Sequence, residues 1–276
     1  MIAAKQLTNG EFQKKYGQWA VIAGASEGLG AQFAEHLARR GLNLVLVARR
    51  AELLQSLAAR LRQDYHVEVF ELPLDLASPY AAAQIVRATA EMDVGLLVYN
   101  AAFSSVGSFL DIPVEDHLKE IDTNVKTPML LVHAFGLRFA NRRSGGILLM
   151  SSLSAFQGSA LISNYAATKA FCLLLGEGLW EEWRELGVDV LVCLGSAIKT
   201  PGYLASRPRQ SFIFSTPASD PKEVAAAALN ALGKQPSFIP GASNRLASFF
   251  MRRLLSRQAA IRLMGRVLRG MYPRKT

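Results

Sequence analysis

Tyr165 and Lys169, in the run Y-A-A-T-K, stand at i and i+4, which on a helix is one turn apart on one face. A phenol loses its proton near pH 10, and a neighbouring ammonium favours the phenolate, which moves such a tyrosine toward general acid–base work at neutral pH. The spacing by itself also suits any amphipathic helix, so its meaning depends on what surrounds it. Thirteen residues before Tyr165 comes Ser152, preceded by Ser151, at the end of the apolar run G-G-I-L-L-M. A hydroxyl at a strand end can donate to a carbonyl oxygen as charge develops there, or simply cap the next turn. Asn124, in D-T-N-V-K-T-P, puts an amide inside a helical stretch, where burial requires that it bond something.

A second group of residues points to a nucleotide. In A-G-A-S-E-G-L-G, the residues Gly24, Ser26, Gly28, Leu29 and Gly30 follow an apolar strand and open a helix. Glycines there permit positive φ and close backbone approach, so amides at the helix start can meet a pyrophosphate. The spacing is G-x-x-x-G-x-G rather than G-x-G-x-x-G, and a tight turn alone would read the same way. The second strand ends L-V-A-R-R. An NAD-selective enzyme places a carboxylate there to hold the ribose hydroxyls. Arg49, with Arg50 beside it, instead offers guanidinium groups suited to a 2′-phosphate, and so predicts NADP(H); a solvated basic helix start is the alternative.

These groups need a scaffold that brings strand ends together. From Trp19 the chain alternates buried-strand runs (WAVIAG, LNLVLVA, VEVFELP, GLLVYNA, GGILLMS, DVLVCLG) with helical patterns near 29–40, 50–64, 78–91, 115–143 and 163–186. That rhythm predicts an α/β fold, a single-domain doubly wound parallel sheet of Rossmann type with helices on both faces. The predicted catalytic domain is 1–243. Residues 200–222 carry four prolines between the sixth strand and a helix near Pro221, which suits a substrate lid or a plain surface excursion. Phe212, Ile213 and Phe214 could line an apolar pocket there or be ordinary core contacts.

Composition bounds the rest. Of 276 residues half are hydrophobic, ample for a core. Cys172 and Cys193 lack metal-ligand spacing and read as reduced core thiols, and no metal site is expected. The first residues lack a signal-peptide core and no run is long enough to span a bilayer, so a soluble, cytoplasmic protein is expected. The net charge of +9 is localised: residues 224–276 hold ten Lys and Arg and no acid. Within 244–276, Leu246, Phe250, Leu254, Ile261, Met264, Leu268 and Met271 recur at near-helical spacing among arginines. This predicts a basic amphipathic helical extension that docks on the protein or a partner subunit, or lies on an anionic membrane. No recognition motif accompanies the charge, so nucleic acid is not expected as a partner.

Taken together, the motifs resemble the short-chain dehydrogenase/reductase family from about Trp19 to Thr200. The glycine loop is similar to the family's own, Asp75-Leu76 to its adenine-contacting pair, and Asn100-Ala101-Ala102 to its N-A-G. Asn124, Ser152, Tyr165 and Lys169 fall on its catalytic tetrad. The resemblance implies hydride transfer between a nicotinamide and a carbonyl or alcohol carbon. Tyr165 would exchange a proton with the substrate oxygen while Ser152 polarises it. Lys169 would hold the nicotinamide ribose and lower the Tyr165 pKa, Asn124 would position a relay water, and Ile198 and Thr200 would contact the nicotinamide. Gly195-Ser196 stands where the family usually has Pro-Gly, and Ala102 replaces a glycine. The stretch K-Y-G-Q-W-A-V-I-A-G-A-S-E-G-L-G is similar to the hydroxysteroid and long-chain β-oxoacyl reductase branch, which implies a small-molecule ketone or alcohol of apolar type. The family also implies a homodimer or homotetramer paired through the helices near 115–143 and 163–186. A sensor or membrane-associated scaffold without turnover is the alternative, although such a protein has no need of Tyr165 and Lys169.

Overall fold

The computed structural model describes residues 8–206 and 218–273. Seven strands form one parallel sheet: β1 Trp19–Ala23, β2 Asn43–Ala48, β3 Val69–Pro73, β4 Val94–Tyr99, β5 Gly145–Ser152, β6 Val188–Gly195 and β7 Ser237–Phe238. Their order is β3-β2-β1-β4-β5-β6-β7, so the chain reverses its direction of travel between β1 and β4. In a doubly wound sheet that switch point opens a crevice at the carboxyl ends of the strands.

Successive strand residues point to opposite faces, and each face has its own core. Ile22, Leu46 and Val98 pack with Phe33, Leu37, Leu54 and Leu229, from the helices α2 Gly28–Ala38, α3 Ala51–Tyr65 and α9 Pro221–Ala231. Val21, Val47 and Leu97 pack with Ile85, Leu131, Phe135 and Phe139, from α4 Ala81–Ala88 and α6 Thr127–Arg142. Both faces being covered explains why the strands read as continuous apolar runs.

Four elements differ from the sequence expectation. The leading segment forms α1 Asn9–Tyr16, whose N-cap Thr8 and Glu11 bond each other's backbone amides reciprocally. Phe12 and Tyr16 are buried, and the Tyr16 hydroxyl donates to Asp189 at 2.6 Å, tying the helix to β6. The helix expected over 115–143 is α5 Val114–Ile121 and α6 joined by one π-helical turn, Asp122–Lys126. The helix expected to run to 186 is α7 Ser163–Glu182, followed by one 3₁₀ turn and Gly187 at φ +74°. After the short helix α8 Pro201–Ala205 and α9, the tail is two helices rather than one, α10 Ala242–Arg253 and α11 Arg257–Met271. Ser256 breaks it, because its hydroxyl accepts from the Ala259 amide and caps a new helix start. Phe212, Ile213 and Phe214, and the central part of the expected lid, lie outside the described residues.

Candidate active site

A cleft of about 600 Å³ opens at the carboxyl ends of the strands, over the switch point. At one end lies the turn between β1 and α2. Its glycines are required by contact as well as by φ: Gly24 has φ +83° and Gly28 has φ +56°, and a methyl group on Gly24 would meet the Ala101 backbone at 2.7 Å. A methyl on Gly30 would collide with the Gly24 carbonyl oxygen and lie 2.9 Å from Asn100 Nδ2. Asn100 Nδ2 donates to that same carbonyl at 2.9 Å, while the Asn100 and Ala101 amides both donate to Ala23 at 2.9 Å. Asn100 thus holds the end of β4 against the glycine turn. The N-cap of α2, Glu27, makes no side-chain cap, and the first amides of a helix have no partner within it. The start of α2 therefore brings backbone donors without helix partners to this end of the cleft.

At the same end, Arg49 and Arg50 are exposed on the cleft wall beside Ser26. They are not equivalent. Arg50 pairs with Glu27 at 2.6 Å and donates to Ser26 Oγ at 3.3 Å, so its charge is already answered by a carboxylate. Arg49 makes no ion pair with any described residue. Asp75 caps the turn after β3 by accepting from the Ala77 amide, and buried Leu76 is anchored by Thr127, whose hydroxyl donates to its carbonyl at 2.8 Å.

The other end holds the groups that can move protons. β5 ends at Ser151 and Ser152, which pair in register with Leu194 and Gly195 of β6. Strand alternation separates the two hydroxyls. Ser151 Oγ donates to the Lys169 carbonyl at 2.7 Å and is structural, whereas Ser152 accepts from the Ser154 amide and stands beside Tyr165 in the cleft. Tyr165 lies in the first turn of α7, and Lys169 Nζ sits 5.6 Å from its ring centroid while donating to the Met150 carbonyl at 2.9 Å. Ile198 bridges Ser219 in parallel pairing, and Thr200 caps α8 next to Gly28.

The electrostatics of this end differ from the expectation that Lys169 lowers the Tyr165 pKa. Burial pushes the Tyr165 phenol up to about 12; the Ser152 hydroxyl acts against that rise, and the fields of Cys172 and Glu120 add to it. Lys169 is itself pulled below its ordinary value by burial, opposed by Cys172. The physical reason is desolvation: both groups lose water, so each charged form is penalised. In the ligand-free protein Tyr165 is therefore a protonated acid at neutral pH. Wild type minus Tyr165→Phe should show no tyrosinate absorbance in the near ultraviolet until well above the ordinary phenol pKa of about 10. A tyrosinate signal specific to Tyr165 near neutrality would overturn this assignment.

Asn124 is 1% exposed and sits behind the cleft wall, inside the π-helical turn. Its amide donates to the Phe103 carbonyl at 2.8 Å and to Thr168 Oγ1 at 3.1 Å, and its oxygen accepts from the Phe103 amide at 2.9 Å. The carbonyls of the π turn are taken up from outside it: Tyr99 donates to Thr123 at 2.5 Å and Cys172 Sγ to Asn124 at 3.2 Å. Asn124 thus holds the Phe103 backbone, next to the end of β4, from behind the cleft wall. Buried Glu120 works beside it, accepting from the Ser105 amide at 2.6 Å and from Asn164 at 2.7 Å. Among the described residues no cluster of His, Cys, Asp or Glu could hold a metal ion.

Several cleft residues escaped the sequence reading. Phe103 and Lys119 line it together, the ammonium 4.9 Å from the ring centroid. Tyr203 comes from α8 and Ser206 from its C-cap, and Tyr272 arrives from beyond α11, its hydroxyl 3.1 Å from Ser206 Oγ. No sequence pattern linked Tyr272 to this site, because the two partners are separated by 66 residues and by tail helices whose path is set by packing.

Comparison with known proteins places this geometry in context. A family model described as short chain dehydrogenase matches residues 18–210. The chain is 32% identical to a 7β-hydroxysteroid dehydrogenase of Clostridium sardiniense, over 85% of this chain and 89% of that protein. A structure solved in work on 7β-hydroxysteroid dehydrogenase stereoselectivity superposes with a TM-score of 0.84 at 33% identity, covering 91% of this chain and 98% of the other. A short-chain dehydrogenase from Sphingobium yanoikuyae, solved in complex with NADPH, superposes with a TM-score of 0.74 at 32% identity, covering 86% and 93%.

Proposed function

We propose, from the premise that this chain belongs to the short-chain dehydrogenase/reductase family, that its cleft binds NADP(H) and serves the interconversion of an apolar, bulky ketone and its secondary alcohol. Family membership makes the protein an oxidoreductase of CH–OH groups; the cofactor choice, the residue roles and the substrate class are the proposal. One observation carries it: a single cleft joins the glycine turn and Arg49 at one end to Ser152, Tyr165 and Lys169 at the other. The residues fit the cofactor on structural grounds. Gly24 and Gly30 let the turn pack directly on the Ala101 backbone, the Gly24 carbonyl and Asn100, the start of α2 borders the cleft there, and Arg49, in no ion pair with a described residue, stands beside it. The nicotinamide, when bound, supplies or accepts the hydride.

The chain's own groups handle the proton and the charge. In reduction, the Tyr165 hydroxyl, fully protonated at neutral pH, gives its proton to the oxygen of the forming alcohol while Ser152 donates a hydrogen bond to the same oxygen. Lys169 donates to the Met150 carbonyl one helical turn from the phenolate that remains, which its ammonium form favours although burial lowers its pKa. In oxidation the order reverses, and Tyr165 must first be deprotonated. On the substrate side, Phe103, Val106, Tyr203 and Tyr272 present aromatic and aliphatic surface with two hydroxyls, which suits a large apolar ketone carrying a polar group.

The test is a panel of steroid-like ketones, 3-oxoacyl thioesters and small ketones, assayed by NADPH absorbance with NADH as control. NADPH consumption with bulky members is the expected result; NADPH binding without turnover on any member would favour a sensor. Arg49→Asp should raise the KM for NADPH about 10- to 100-fold with little change for NADH, since a charge-assisted hydrogen bond contributes about 1.5–3 kcal/mol. Equal wild-type rates with the two cofactors would remove the Arg49 assignment.

A further inference from the structure

We infer that the C-terminal helices dock this enzyme on an anionic membrane surface, with the outer face of α10 as the contact. The helix is inverted relative to an ordinary surface helix. Its inward face is Asn244 and Ser248, buried at 3% and 6%, with Asn244 donating to Ser196 Oγ at 2.9 Å and to the Pro240 carbonyl at 3.0 Å. Its outward face is Leu246, Phe249 and Phe250, exposed at 58%, 57% and 48%, and it continues into Leu254 and Leu255 in the link to α11. At 3.6 residues per turn these side chains point directly away from the domain. A polar face turned inward and an apolar face turned to solvent require a covering partner outside the fold.

Charge selects the partner. Arg253 stands within the apolar face, with Arg245 on the same helix and Arg257, Arg262 and Arg266 on α11, all exposed and none in an ion pair with a described residue. The segment 224–276 contains no acid that could answer them. A second copy meeting the same face about a twofold axis would set arginine against arginine. The subunit pairing that the family implies would use α6 and α7, where Leu137 and Leu174 are exposed at 56% and 69%, rather than α10. A leaflet of anionic lipid meets both demands, taking aromatic and leucine side chains at the acyl boundary and arginines at the headgroups. Among the described residues no helix is long and apolar enough to cross a membrane, so the contact is one of lying on the surface. The inner side of α11 is anchored by buried Ala260 and Leu268, which holds the pair of helices to the domain.

The test is sedimentation of the full-length enzyme with phosphatidylcholine vesicles, with and without about 30% phosphatidylserine. Binding is expected with the anionic vesicles alone, and loss of it toward 1 M salt, where screening acts within about 3 Å. Phe249→Ser/Phe250→Ser should weaken partitioning about tenfold or more, and Arg253→Glu/Arg257→Glu should do the same by charge. Both leave the buried face of α10 intact, so melting temperature and ketone reduction should stay at wild-type values. Equal binding to neutral and anionic vesicles, or unchanged binding by both variants, would overturn the inference. A fall in the solution mass of the variants by light scattering, with no vesicle binding by wild type, would overturn it in favour of a subunit interface. The binding readout is independent of turnover, so it succeeds or fails separately from the proposed reaction.

Discussion

Tyr165→Phe is expected to lower kcat for ketone reduction by two to four orders of magnitude while NADPH still binds, the range that a positioned general acid contributes, about 10²- to 10⁴-fold. The reason is specific to this site. The phenol is held protonated by burial, so at neutral pH every enzyme molecule carries the proton that the product alcohol needs. Phenylalanine keeps the ring that Lys169 lies against and removes only the hydroxyl. Fold and cofactor affinity should therefore survive, as read by melting temperature and by nucleotide fluorescence. Turnover at the wild-type rate would sink the assigned mechanism, whereas loss of NADPH binding would show that the tyrosine is needed to build the site. The same site sets the direction of the pH dependence. A phenol whose pKa is raised in the folded state favours folding below the unfolded value of about 10, and this contribution is lost as pH climbs toward about 12.

Gly30→Ala is the second large effect, and it acts through the backbone. The added methyl would overlap the Gly24 carbonyl oxygen and stand 2.8 Å from its carbon. Neither atom can yield cheaply, because that carbonyl already accepts from Asn100 and the Gly24 amide is fixed to Val47 at 2.8 Å. Overpacking of this kind costs about 1–3 kcal/mol, and a chain of this size loses about 2–4 °C of melting temperature per kcal/mol. Displacing the turn also misaligns the α2 amides, so the dissociation constant for NADPH should rise at least about tenfold per charge-assisted hydrogen bond lost. Gly10→Ala is the control: nothing lies within 4 Å of its new methyl, and within α1 it should be neutral or slightly stabilising. Wild-type NADPH affinity in Gly30→Ala would mean that this turn is not the phosphate cradle.

Much of the architecture was legible before any coordinates. Six strands were readable as mainly apolar runs, five of them covered on both faces and the edge strand Val69–Pro73 only partly, while the seventh, Ser237–Phe238, is too short to carry any pattern. Tyr165 and Lys169 were readable because their partnership is local, one turn of one helix. The errors share a cause, which is that the deciding partner is distant or the signal is small. The first helix hid behind a four-residue capping signature, Thr8 to Glu11, in a segment read only for what it lacked. The link between α10 and α11 turned on one hydroxyl, Ser256. That Arg50, unlike Arg49, pairs with Glu27 shows only in the fold. Asn124 was expected to bond something, and only the fold shows that its side-chain amide bonds Phe103 and Thr168.

By itself, the order of residues determined the sheet, the glycine turn, the one-turn pairing of Tyr165 with Lys169 and the basic, acid-free tail, because each rests on local spacing, on apolar continuity or on composition. Tertiary structure alone decided three things. It set the direction of the Tyr165 pKa, which depends on how much water burial removes from a phenol and an ammonium together. It brought Tyr272 to the cleft, across helices whose path only packing defines. It also turned Phe249 and Phe250 outward, since hydrophobic periodicity tells which residues share a helix face but not which face the domain will cover.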